Sequence, residues 1–78
     1  MAKKYTQQQL EQYATRVLGA MEKHGHGRRK DIQKSTELND HALQRAIWFL
    51  EAGALVEHEN YRPFRITKEG KAWLESKL

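Results

Sequence analysis

Cysteine is absent from the chain, and with it go disulfide staples, thiolate zinc sites and thiol nucleophiles. Packing alone has to hold the fold. Proline occurs once, at Pro63, where it cannot donate to a ladder and so belongs near the start of an edge strand. Long apolar runs are missing too: Met1–Tyr5 leads directly into polar Gln7–Gln9, which leaves no stretch to serve as a signal peptide or a membrane span. The expectation is a soluble protein that stays in the cytoplasm. The signatures of catalysis are lacking as well. There is no Gly-x-Ser-x-Gly, no glycine loop to cradle a phosphate and no carboxylate pair set to line a cleft, and a domain this small has little room for a closed pocket. Four histidines are present, His24, His26, His41 and His58, but His24-x-His26 is not a usual zinc spacing and no cysteine can help. No enzyme, metal or cofactor is expected.

What remains is a chain of 78 residues, 38% hydrophobic and 31% charged, apolar enough to fold and too polar to live in a bilayer. This length makes one domain, and a chain so short buries only about 60–65% of the surface its unfolded form exposes, so the core must be compact. Lysine and arginine outnumber aspartate and glutamate by 14 to 10, a net charge of +4. A positive balance favours polyanions through attraction to phosphate and counterion release. On charge alone, a small basic domain with no nucleic-acid role fits equally well.

Periodicity sets the order of elements. Thr6 can cap a first helix, Gln9 can complete a capping box and Tyr5 can staple onto Leu10. Leu10, Tyr13, Ala14, Val17, Leu18 and Met21 then recur at helical spacing, so one apolar stripe is buried. Gly19 lies beside that stripe as a tolerated surface glycine, at a cost of roughly 1 kcal/mol against alanine. Gly25 and Gly27 end the helix and make a flexible joint. A short second helix follows over 28–35 with Ile32 inward, then a turn at Ser35-Thr36-Glu37-Leu38 in which Leu38 plugs the core. Asn39 caps a third helix, 39–53, whose inward stripe is Leu43, Ala46, Ile47 and Leu50. After Gly53 the period changes to two, giving strands at Leu55–Glu59 and Arg62–Ile66 around a turn at Asn60-Tyr61. Thr67 caps a last helix, Lys68–Leu78, with Leu74, Trp73 and Leu78 packing back on the first.

Two stretches in this order carry a resemblance. Asn39-Asp40-His41-Ala42-Leu43-Gln44-Arg45-Ala46-Ile47 looks like the recognition helix of the winged helix-turn-helix family, and Phe64-Arg65-Ile66-Thr67-Lys68-Glu69-Gly70 with Leu74 resembles the aromatic-x-Ile-Thr-x-x-Gly-x-x-x-Leu ending of many bacterial and archaeal members. The likeness runs from Thr6 to Leu78. It implies an α+β fold, mostly α, a winged helix-turn-helix with a three-helix core, a two-stranded β-hairpin wing and a C-terminal helix over 6–78, behind a flexible basic arm at 1–5. Lys3 and Lys4 on that arm are read as frayed, with a phosphate or minor-groove contact as the other option. The chain departs from the family at Glu37 and at Ala54, where glycine is usual, with Gly53 one place early. Its wing also sets Glu57 and Glu59 beside Arg62 and Arg65.

The resemblance implies double-stranded DNA as the partner and a small transcriptional regulator, working at the nucleoid, as the function. The face of the third helix opposite its apolar stripe presents Asp40, His41, Gln44, Arg45 and Trp48 to the major groove. Arg45 can donate twice to guanine, Gln44 can pair with adenine, and His41 can offer a donor or an acceptor. Arg28, Arg29 and Lys30 at the start of the second helix, with Asn39, Arg62 and Arg65, are the phosphate-binding set; such contacts position the protein and do not read sequence. A single module buries about 600–1,000 Å² on DNA, so a homodimer or a second bound copy is expected to supply specificity. The alternative is a winged-helix module that docks a protein partner through Trp48 and Phe49, one of which is expected to stay exposed.

Overall fold

Four helices and a two-stranded antiparallel sheet follow in the order α1 (Gln7–His24), α2 (Arg29–Thr36), α3 (Asp40–Ala52), β1 (Val56–Glu57), β2 (Arg65–Ile66) and α4 (Lys68–Lys77). The computed structural model describes residues 5–25, 27–58 and 64–77. The class is α+β, mostly α. The expected turn at Asn60-Tyr61 lies outside the described residues, as do Lys3, Lys4, His26, Glu59, Arg62, Pro63 and Leu78.

The capping box at the start of α1 is formed. The Thr6 hydroxyl accepts from the Gln9 N–H at 3.1 Å, and the Gln9 side-chain oxygen accepts from the Thr6 N–H at 3.0 Å. Ahead of it, Tyr5 sets its ring edge-on against Tyr13 with centroids 5.6 Å apart. Ala14, Val17, Leu18, Ala20 and Met21 form the buried stripe. Gly25 ends the helix in the left-handed region at φ 76°, its N–H donating to the Met21 carbonyl, as a C-terminal glycine should. Gly27 corrects the flexible-joint reading. It is buried and faces Phe64 in an isolated antiparallel bridge, and a Cβ there would fall 2.7 Å from Phe64 Cβ and 2.8 Å from Met21 Cε. Close approach, not freedom, is why glycine stands at this position.

α2 runs to Thr36, so Ser35 and Thr36 belong to the helix and not to the turn after it. Thr36 is buried with its hydroxyl donating to the Ile32 carbonyl at 2.7 Å, which satisfies the one polar group that would otherwise be costly there. The turn is made by Glu37 at φ 60°, and Leu38 plugs the core at 7% exposure. Asn39 caps α3 by accepting from the Ala42 N–H at 2.8 Å. Ala42, Leu43, Ala46, Ile47 and Leu50 are buried, and α3 packs them across α1 at the centre of the molecule.

The end of α3 is a two-bond cap. Leu55 N–H donates to the Leu50 carbonyl and Ala54 N–H to that of Glu51, the paired pattern of a Schellman motif. Ala54 holds the left-handed position at φ 56°, while Gly53 sits at φ −90°, where any residue is comfortable. The sheet pairs Val56 with Ile66 and Glu57 with Arg65. Thr67 then locks the two halves together: its N–H donates to Leu55 O, its hydroxyl donates to Ala54 O at 2.7 Å, and the same oxygen accepts from Gly70 N–H. Gly70 presses α4 onto that backbone so closely that a Cβ would overlap the Leu55 carbonyl oxygen. Leu74 is buried, and half-buried Trp73 meets Phe49 edge-on at 6.2 Å. Among the described residues no helix is long and apolar enough to cross a membrane.

Candidate functional site

An α-helix advances about 100° per residue, so a stripe at Leu43, Ala46, Ile47 and Leu50 forces positions 41, 44, 45 and 48 to the other side. The structure agrees: Asp40, His41 and Trp48 are exposed, and Gln44 and Arg45 are half-buried. Half-burial of a long polar side chain means its stem lies along neighbouring surface while the head stays wet. Trp48, at 54%, is the exposed large hydrophobic residue among those described. Phe49 turns the other way, into contact with Trp73 and the core. The pair singled out together as a docking surface is thus split between surface and interior.

Two of the three expected base-reading residues carry an aromatic neighbour. The Arg45 guanidinium carbon lies 5.6 Å from the Trp48 ring centroid. The Tyr5 hydroxyl stands 3.3 Å from His41 Nδ1, with the two rings 5.5 Å apart and tilted by 36°. Tyr5 was legible only as a helix staple. Its contact with His41 spans 36 positions, and no local pattern signals it. Asp40, on the same face, accepts from Gln33 Nε2 at 2.6 Å, which ties the first turn of α3 to α2.

At the start of α2, Arg28, Arg29 and Lys30 are all exposed, and Arg28 occupies the cap position without a side-chain capping hydrogen bond. The side-chain cap that Thr6 and Asn39 give α1 and α3 is thus missing at this helix start. Asp31 follows in the same turn, so the cationic cluster is weaker than its three basic residues suggest. Asn39 spends its side-chain oxygen on the α3 cap, and only its NH₂ end is of the right polarity for a phosphate. Arg65 is exposed but stands directly across the sheet from Glu57. Arg62 lies outside the described residues. His58 stacks on Phe64 at 4.5 Å with the rings 11° from parallel, and His24 Nε2 lies 3.0 Å from Ser35 Oγ, so both act in packing and bracing.

Among the described residues no three His, Asp or Glu side chains gather to hold a metal ion. An apolar crevice along the core seam is bordered by Val17, Met21, Ile32, Leu50 and Phe64, with Arg29 as its one charged neighbour. It lacks the convergent polar groups that orient a substrate. No family model matches this chain, and no curated protein or solved structure matches it at a significant level.

Proposed function

We propose that the chain is a winged helix-turn-helix protein that binds double-stranded DNA, with α3 in the major groove and the start of α2 on the phosphate backbone. The observation that carries the reading is the outward face of α3. It sets His41, Gln44 and Arg45 together on a helix whose opposite side is fully committed to the core, behind a tight turn from a helix that opens on three basic residues. A B-DNA major groove admits one helix, and arginine and glutamine are the side chains that read guanine and adenine edges bidentately. On this reading β1 and β2 are the wing. Glu57 opposite Arg65 makes the described part of that wing a weak phosphate grip, so affinity rests on α2 and α3. The use we assign is a small transcriptional regulator without catalytic activity, bound as a homodimer or as two copies because one such module covers only about 600–1,000 Å² of DNA.

The test is a fluorescence-anisotropy titration with mixed-sequence duplex DNA across a salt series. Binding should weaken steeply as salt rises. Arg45→Ala should cost about 1–3 kcal/mol and relax base preference, whereas Lys30→Ala should weaken binding evenly across sequences and lower the salt slope by about 1. No binding at low salt, or an Arg45→Ala variant with unchanged affinity and preference, sinks the docking. The exposure of Trp48 favours a second reading, a module that docks a protein partner through this residue; an aromatic-anchored contact of that kind changes little with salt.

A further inference from the structure

We propose that Trp48 and Tyr5 are positioning residues that hold Arg45 and His41 ready for base contact, an inference that rests on the DNA-binding reading above. Two residues of the outward face of α3 each have an aromatic side chain against them, by different contacts. Arg45 has its guanidinium within cation–π reach of the Trp48 ring, 5.6 Å from the centroid, where about 6 Å is the limit of useful attraction. One turn earlier, His41 has Nδ1 3.3 Å from the Tyr5 hydroxyl and its ring tilted against the tyrosine. Tyr5 is itself braced, edge-on against Tyr13 and next to the capping box at Thr6.

Such contacts do a particular job. A free arginine side chain loses many rotamers when it meets a base edge, and that loss subtracts from affinity. A ring beneath the guanidinium engages its π face and leaves the N–H fork, which lies in the guanidinium plane, available for guanine. Likewise, a tyrosine hydroxyl engaged at Nδ1 leaves Nε2 as the nitrogen His41 offers to a base. A tryptophan exposed at 54% on a reading face then has a reason to be there that needs no protein partner.

A double-mutant cycle tests each pair, using a duplex selected by the wild-type chain from a randomised pool, at one fixed salt concentration. Trp48→Ala should weaken binding about 2- to 5-fold, the effect expected of an exposed cation–π contact, with the loss concentrated in discrimination at a single base pair. The same change made on top of Arg45→Ala should cost nothing further. Trp48→Phe should restore part of the loss, and Trp48→Leu, which keeps apolar bulk without a π face, should not. Tyr5→Phe should behave in the same way toward His41→Ala. If the wild-type chain selects no duplex, the DNA reading falls and takes this inference with it. If duplex is bound but the Trp48 or Tyr5 substitution costs the same with and without its partner, the positioning role of that residue is overturned and the DNA reading stands.

Discussion

Gly19 and Gly70 both sit inside helices, yet a methyl group added to each meets opposite surroundings. At Gly19 nothing lies within 4 Å of the new carbon, so Gly19→Ala should stabilise by about 0.5–1 kcal/mol through lower backbone entropy in the unfolded chain. At Gly70 the carbon runs into Leu55 O and comes within 2.9 Å of Ile66 Cγ1; Gly70→Ala should destabilise by about 3 kcal/mol, the upper end of overpacking costs. Urea melts followed by circular dichroism will give both signs. Thr67→Val keeps the shape of the side chain while removing its bonds to Ala54 O and Gly70 N, and the same melts should show a loss of about 1–2 kcal/mol. Gly19 was legible as a surface glycine because its place beside the apolar stripe follows from helical spacing. Gly27 was not, since its contact with Phe64 joins segments that no local pattern connects.

At the scale of elements, the helix ends show where the chain pays for its sequence. Glu37 and Ala54 both hold left-handed backbone at φ 60° and 56°, a conformation that costs a residue with a Cβ roughly 1–2 kcal/mol. On the proposed winged helix-turn-helix reading, these are the two positions where glycine is expected. Ala54→Gly should therefore stabilise by about 0.5–1 kcal/mol after the extra entropy of an unfolded glycine is counted. Gly53→Ala should add about 0.4–1 kcal/mol, because φ −90° suits alanine and the nearest atom, Leu55 Cγ, lies at 3.4 Å. The pair of changes moves glycine one place along, and thermal melts of the two single variants and the double variant should show both gains together with the coupling expected of adjoining residues. Element order and type were legible throughout, as was the outward face of α3, because period, caps and stripe all agree. The lengths were not fixed to the residue: α2 runs on to Thr36, and of the strands expected at 55–59 and 62–66 the described pairing covers only Val56–Glu57 and Arg65–Ile66, with Leu55 drawn instead into the cap of α3 and Phe64 into its bridge with Gly27.

For the whole molecule, roughly 0.05–0.15 kcal/mol per residue implies a stability of only about 4–12 kcal/mol. The loss expected for Gly70→Ala is then a large share of the total. The helices meet in one continuous core that includes residues of α4 as well as α1, so unfolding should be a single cooperative step. Trp48→Phe tests this directly, because it leaves Trp73 as the sole tryptophan at the contact between α4 and α3. Its emission melt should coincide with the far-ultraviolet circular dichroism melt, and separated transitions would show α4 detaching first. The contact of Tyr5 with His41 was invisible at this scale in the sequence, because only the docking of α1 against α3 brings the two residues together.

Phe64 faces Gly27, and Arg28 is the next residue along the chain. The spacing between the strand pair and the opening of α2 is thus set by backbone in direct contact, and because a Cβ at position 27 would fall 2.7 Å from Phe64 Cβ, any larger residue there has to push the two segments apart.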